Sequence, residues 1–352
     1  VLVFASRFVL QTEAFLDGLR GSHKGAFIFG CSTAGEILDT NVRDESASLT
    51  AIKFDSTTFV PQLVAIDDCP NALDAGKRLA RALPAAGLVH VLVLSDGVHV
   101  NGSELVKGLV SELPESVTVT GGLSGDGDRF EETVVVFDGE ARSNSVGVIG
   151  LYGEKLRVGC GSLGGWDPFG PERVVTRSES NVLFELDGKS ALELYKSYLG
   201  EHAAGLPATG LLFPLSLRMD LEAPPVVRTL LAVNEEAQSM TFAGDVPEGS
   251  YTRLMKANFD RLVDGAHGAA IASRGTIANS STELALLVSC VGRKMVLKQR
   301  IEEEVEAVRD VLGPQAAIAG FYSYGEISPF TPEAKCELHN QTMTITTFTE
   351  DR

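Results

Sequence analysis

Cysteine, tryptophan, basic clusters and long apolar runs are all scarce in this 352-residue chain. The five cysteines, Cys31, Cys69, Cys160, Cys290 and Cys336, are dispersed and form no C-x-x-C pair. An odd, scattered set supports neither a disulfide framework nor a thiolate zinc site, and a reducing cytoplasm is the simplest setting. No apolar run approaches the roughly 18 residues needed to cross a bilayer, and no charged segment followed by a hydrophobic stretch marks a secretion signal. Thirty Lys+Arg against 47 Asp+Glu give a net charge of -17 without a basic block. That argues against nucleic acid or an anionic membrane as partner, because both rest on clustered cations. It leaves a homodimer open. The chain starts at Val1, already inside a strand pattern, and reads as trimmed, with an N-terminal helix absent.

What the sequence does contain is a repeated turn. Gly30 to Ile37 reads G-C-S-T-A-G-E-I after the apolar run Ala26 to Phe29, and Gly320 to Ile327 reads G-F-Y-S-Y-G-E-I after Ala316 to Ala319. Each follows an apolar run, a helical segment and a second apolar run: Leu2 to Ala5 with Thr12 to Arg20, and Leu284 to Val288 with Lys294 to Leu312. A third copy lies between them, with strands Val89 to Leu94 and Val117 to Thr120 around helix Ser103 to Leu113, ending in G-G-L-S-G-D-G from Gly121 to Gly127. Strand, helix, strand and glycine turn define a β-α-β crossover with a loop at its exit.

G-C-S-T-A-G-E-I, the S-D-G…N-G segment followed by G-G-L-S-G-D-G, and C-E-L-H-N-Q-T-M-T-I at Cys336 to Ile345 together resemble the FIST proteins. The resemblance covers essentially the whole chain. It implies a FIST N-terminal domain at residues 1-188 and a FIST C-terminal domain at residues 189-352. It further implies an intracellular sensory module that binds a small ligand, amino acids among the classes, and signals to a separate protein such as a histidine kinase. Some members of the family resemble haem proteins that sense nitric oxide.

The remaining pattern is that of a two-domain α/β protein with mixed β-sheets, built from repeated strand-helix-strand units and pseudo-duplicated. Strands are expected at Ser48 to Phe54, Phe59 to Ile66, Thr133 to Phe137 and Ser145 to Tyr152, with a helix from Asn71 towards Leu83, where Pro84 stops it. Leu156 to Gly188 is strand-like and glycine-rich, and Trp166 within it reads as a plug over a sheet edge in preference to a pocket wall. Its G-x-G-x-x-G match, Gly159 to Gly164, carries no dinucleotide signal, because Trp166-Asp167-Pro168 follows instead of a helix. A helix opens at Ser190 to Leu199. Strands at Leu211 to Leu217, Arg228 to Val233 and Ser239 to Ala243 precede a helical stretch from about Tyr251 to Ala272. A last strand is expected over Leu338 to Phe348.

Ligands of crossover folds gather where strands end in loops. The candidate binding residues are therefore Gly30, Cys31, Ser32, Thr33, Gly35 and Glu36 of the first turn, Gly122, Ser124, Gly125 and Asp126 of the second, and Tyr324, Gly325 and Glu326 of the third. Ser32, Thr33 and free backbone N-H groups suit a carboxylate, and Asp126 and Glu326 suit an amine, which together fit a zwitterion. His339 is expected to point inward from its strand. A buried histidine is usually a hydrogen-bonded core residue; in the haem reading it is the axial ligand, the only metal ligand expected. His99 is a second candidate. Ser32 lacks the G-x-S-x-G frame of a nucleophile elbow, and no spacing places a histidine beside Cys31. A thiol or serine enzyme is thus a third reading, behind the two binding functions.

Overall fold

A computed structural model describes residues 1–220, 225–277, 281–330 and 334–351. Its central body uses one unit three times. In the first copy β1 (Leu2–Ala5) leads through α1 (Arg7–Leu10) and α2 (Glu13–Ser22) to β2 (Phe29–Ser32), then to the hairpin β3 (Glu36–Leu38) and β4 (Asn41–Arg43) and the return strand β5 (Ala47–Thr50). The second copy adds a strand and a helix in front: β6 (Thr58–Ala65), α3 (Ala72–Arg81), β7 (Leu88–Ser95), α4 (Gly102–Glu112), β8 (Thr118–Leu123), hairpin β9 (Val135–Phe137) and β10 (Glu140–Arg142), and β11 (Ser145–Tyr152).

The third copy opens with β12 (Leu156–Leu163), which is followed by an inserted unit. That unit holds β13 (Asp167–Glu179), β14 (Val182–Leu186), β15 (Lys189–Ser190), α5 (Ala191–Leu199), β16 (Leu215–Arg218), β17 (Val226–Arg228), β18 (Leu230–Asn234), β19 (Ser239–Phe242) and β20 (Tyr251–Lys256). The copy then resumes with α6 (Phe259–Thr276), β21 (Leu284–Cys290), α7 (Val291–Leu297), α8 (Ile301–Leu312), β22 (Ala317–Ser323), hairpin β23 (Gly325–Pro329) and β24 (Cys336–His339), and β25 (Met343–Glu350).

The pairs β1–β2, β7–β8 and β21–β22 are each parallel, so all three expected crossovers are present. Each hairpin leaves its own sheet: β3 pairs with β22, β9 with β2, and β23 with β8. The copies therefore exchange hairpins in a cycle, and two of the three central sheets take strands from both sides of residue 188. Alternation decides what faces inward. Leu2 and Phe4, Leu92 and Leu94, and Leu286 and Val288 meet in one apolar core between the sheets, where Phe4 stacks on Phe321 at 4.7 Å. Burying each such side chain contributes about 1.5–3 kcal/mol. The intervening Val3, Val93 and Leu287 turn outward to the helices. Asn71 and Asn101 cap α3 and α4 by accepting from the backbone of Asp74 and Glu104 at 2.9 and 3.1 Å.

The structure relocates the repeated glycines. Gly30, Gly121 and Gly320 lie within β2, β8 and β22, opposite Val3, Val93 and Leu287. A Cβ at these places would stand 1.7, 1.9 and 2.0 Å from those three carbonyl oxygens, so the glycines permit close strand approach and do not make turns.

Several expected elements differ: the strand expected over Ser48 to Phe54 ends at Thr50, Leu211 and Leu212 close a 3-10 helix before β16 begins at Leu215, and the strand expected over Arg228 to Val233 is divided between β17 and β18. Residues from Tyr251 form β20, held between β13 and β16, before α6 begins at Phe259. The helix expected over Lys294 to Leu312 is broken at Lys298, which adopts φ 51° between α7 and α8. The strand expected over Leu338 to Phe348 is two strands in different sheets, β24 and β25, separated at Gln341 with φ 64°. Among the described residues no helix is long and apolar enough to cross a membrane.

Candidate functional site

The three strand exits converge. Gly125 N donates to Ser32 O at 2.9 Å, Ala34 N to Tyr322 O at 2.8 Å, and Tyr324 N to Leu123 O at 3.2 Å, so the loops of all three copies are joined by backbone hydrogen bonds. Beneath them lie two matching clasps. The Thr33 hydroxyl donates to Glu36 at 2.5 Å, and the other carboxylate oxygen of Glu36 accepts from the Ser46 backbone and hydroxyl. In the third copy the Ser323 hydroxyl donates to Glu326 at 2.8 Å, and Thr342 donates from backbone and side chain to the second oxygen. Burial raises both carboxyls, and Glu326 is pushed up to about 8. In the second copy Val135 stands opposite Cys31 where the other copies carry these glutamates, and Asp96 supplies the carboxylate, accepting from the backbone of Val98, His99 and Asn144.

This arrangement leaves the first turn closed. Ser32 Oγ accepts from Val134 N at 2.9 Å, Gly35 N is directed at Thr33 Oγ1, and the gap beside Thr33, Gly35 and Asp126 measures only about 20 Å³. A space of that size holds about one water molecule. Asp126 pairs with Arg7 at 3.0 Å, and burial raises its carboxyl against that partner. Thr33 and Glu326 thus already have protein partners and Ser32 Oγ accepts a hydrogen bond, while Asp126, ion-paired with Arg7 through one oxygen, keeps Oδ2 without a hydrogen-bond partner. Cys31 is fully buried, Ser124 Oγ donates to Ser95 O, and burial pushes the Cys31 thiol far up, the reverse of what a thiolate nucleophile needs. Gly122 and Gly325 sit in β8 and β23 as strand residues.

Tyr324 is different, because it borders open space. Its ring stacks on Phe130 at 4.2 Å, and its hydroxyl accepts from the backbone of Asp126 at 2.9 Å and Phe130 at 3.1 Å. These rings and the β7–α4 loop, from Gly97 to Gly102, form one side of a cavity of about 230 Å³; Asn181, Leu231 and Phe242 to Gly244 of the inserted unit form the other. His99 is about half exposed here. Asn101 and Lys107 reach across to Asp245 at 3.2 and 2.9 Å, tying α4 to the inserted unit. Of this lining the sequence pattern marks Tyr324 and His99. Phe130, Leu231 and Phe242 were missed, since only the fold brings the insertion against the second exit.

His339 points inward, as expected. Its Nε2 donates to Ser328 O at 2.9 Å, and burial lowers its pKa to about 4. It lines neither this cavity nor the larger apolar one at the opposite end of the body. Among the described residues no group of three or more His, Cys, Asp or Glu could hold a metal ion.

The architecture is that of a mixed α/β protein whose strand exits and an inserted unit share a cavity. Comparison with known proteins places it further: residues 1–189 match the FIST N domain and residues 191–329 the FIST C domain. The chain belongs to the FIST family, whose domains are sensory domains of signal transduction. An uncharacterized protein of Methanocaldococcus jannaschii is 26% identical over 237 residues, 63% of this chain and 43% of that protein. The aligned region thus spans less than half the length of this curated relative. The solved structure of cyanuric acid hydrolase from A. caulinodans aligns over 84% of this chain and 100% of that one, at 10% identity and a TM-score of 0.21, which is too low to carry an argument.

Proposed function

We propose that this protein senses an amino acid or a similarly small molecule, bound in the cavity between the second strand exit and the inserted unit. The observation that carries the reading is the dual origin of the walls: Phe130 and Tyr324 belong to the central body, Leu231 and Phe242 to the insertion. An apolar or flat group fits between the stacked rings and the exposed Leu231. A carboxylate fits towards the start of α4, at Gly102 in the cavity wall, next to which the buried Ser103 hydroxyl has no hydrogen-bond partner. A ligand that touches both bodies favours one docking of the insertion over others, and a separate signalling protein such as a histidine kinase reads the difference in the cytoplasm.

The test is thermal unfolding with each of the twenty amino acids, repeated on Tyr324→Ala. A ligand at about 100 times its dissociation constant stabilises the native state by about 2.7 kcal/mol. A rise in Tm with one amino acid that disappears in the variant supports the reading. No rise with any of the twenty sinks the amino-acid class.

A further inference from the structure

The wall of the cavity at the second exit departs from the composition of the chain. Of 352 residues 47 are Asp or Glu, yet no carboxylate is among the described residues that line it. The two acids that adjoin the wall in sequence, Asp96 and Asp245, are engaged elsewhere. Asp96 is 0% exposed and accepts from Val98 N, His99 N and Asn144 N, and Asp245 accepts from Asn101, Lys107 and Ser180. The Tyr324 hydroxyl is spent as well, accepting from Asp126 N and Phe130 N and donating to Gly127 O. An ammonium group placed in this cavity would lack a counter-charge, which is costly away from water.

The opposite charge is provided for. Arg228 of β17 is 6% exposed and donates only to main-chain carbonyls, Asp245 O at 3.1 Å, Val227 O at 3.3 Å and Leu338 O at 3.0 Å. Among the described residues it forms no ion pair. Burial lowers its pKa, and Glu337 and Asp245 oppose that only from beyond ion-pair distance. A guanidinium stays ionised in proteins, so Arg228 is a buried cation without a counter-ion, an arrangement that costs stability. It lies against the cavity wall: a Cβ on Gly244 would stand 2.9 Å from Arg228 Nε and 3.1 Å from its Cζ, and Gly244 lines the cavity.

The wall on the side of the central body has the same polarity. There α4, eleven residues long, begins at Gly102. Asn101 caps Glu104 N, but the N-H groups ahead of it have no intrahelical acceptor, and the adjoining Ser103 hydroxyl is buried without a partner. A helix start of this kind favours negative charge. The volume of about 230 Å³ is below the roughly 300–1,000 Å³ of drug-sized sites, which limits the occupant to a small body.

We infer that the preferred occupant of this cavity is an apolar monocarboxylate without an ammonium group. Its carboxylate lies between the start of α4 and the wall in front of Arg228, and its apolar body lies against Phe130, Tyr324 and Leu231. The amino acid with the same body is the weaker ligand, because its ammonium meets no acid. Arg228 is a specificity-determining residue that acts through its charge from behind Gly244. The inference rests on the cavity being the ligand site, and it specifies the charge which that site selects.

The experiment is calorimetric titration of the chain with hydrocinnamate, L-phenylalanine and phenethylamine, which share one body and carry a carboxylate, both groups, and an ammonium. Hydrocinnamate binds about tenfold or more tightly than L-phenylalanine, and phenethylamine does not bind. Arg228→Met weakens hydrocinnamate about tenfold. Leu231→Asp, at a residue 40% exposed and therefore tolerant of a charge, sets an acid on the wall, weakens hydrocinnamate and admits phenethylamine. L-phenylalanine binding as tightly as hydrocinnamate, with both weakened by Leu231→Asp, overturns the inference and leaves the cavity reading in place. Failure of hydrocinnamate to bind the wild type also overturns it. Hydrocinnamate binding that Leu231→Asp leaves unchanged puts the site elsewhere and sinks the cavity reading together with the inference.

Discussion

Glu36 and Glu326 occupy the same place in two copies of one folding unit. Each carboxylate lies one residue from the isoleucine, Ile37 or Ile327, that faces Gly320 or Gly121 in the adjoining sheet. Each receives a hydroxyl three residues back and the backbone N-H just ahead of the last strand of its copy. The hairpin that crosses into the next sheet is thereby tied to the strand that returns. These acids fasten the strand exits under the candidate cavity and do not face it.

Glu326 makes stability depend on pH in a stated direction. Burial favours the protonated form, raising the folded value from 4.5 to about 8. The folded protein therefore binds a proton that the unfolded chain has released, and the stability from this group is complete below pH 4.5 and lost as pH rises through about 8. Glu326→Gln mimics the protonated acid, its amide donating to Ser323 and its oxygen accepting from Thr342. Chemical denaturation at pH 5 and pH 8.5 should find the wild type losing more stability over this interval than the variant. Equal losses would place the ionised form in the fold.

How far the sequence exposes this architecture follows from the range of each interaction. The three crossovers were legible because each carries a glycine where a neighbouring carbonyl leaves no room for Cβ, and that constraint repeats in the letters as Gly30, Gly121 and Gly320. The cyclic exchange of hairpins was not legible, since pairing β3 with β22 joins residues nearly three hundred apart with no local mark. The break at Lys298 carries neither Gly nor Pro, so helical periodicity ran through it. Tyr251 and Thr252 did carry a strand signal, which the periodicity reading passed over. In the site, Tyr324 and His99 were found because they adjoin glycine motifs, whereas Leu231 and Phe242 become wall residues only through docking of the insertion.

Arg293 and Glu304 form an ion pair at 2.7 Å with both side chains 0% exposed. Arg293 also donates to Leu262 O, and Glu304 accepts from Ser289 and Tyr322. Removing one partner leaves a buried charge uncompensated, so Arg293→Met should cost about 3–5 kcal/mol. Adding Glu304→Leu should recover part of that loss. Urea denaturation of the wild type, both single variants and the double variant measures the coupling, and additive losses would mean that water reaches the pair.

Gly97 opens the loop that borders the proposed ligand cavity. A Cβ there would lie 1.9 Å from Ser124 O, a backbone atom with no rotamer to yield, and 3.1 Å from the Tyr324 ring. Gly97→Ala should therefore force the second exit apart and destabilise the fold by about 1–3 kcal/mol, the usual cost of overpacking. Wild-type stability in denaturant titrations would show that the loop is free to shift and that the close approach of Gly97 to Ser124 does not hold the second exit.

Cysteine labelling separates a binding site from a thiol enzyme. Cys31, Cys160, Cys290 and Cys336 are all buried, and burial raises each thiol, Cys160 to about 11. Cys69 is the one cysteine with intermediate exposure. Since reaction requires both access and thiolate, iodoacetamide at neutral pH should modify Cys69 first in the native protein, with the other four reacting only after unfolding. Peptide mass spectrometry after timed quenching reads the order directly. Rapid native labelling of Cys31 would mean that the first turn opens to solvent and holds a reactive thiolate, and the enzyme reading of G-C-S-T-A-G-E-I would then displace the closed clasp seen at Thr33 and Glu36.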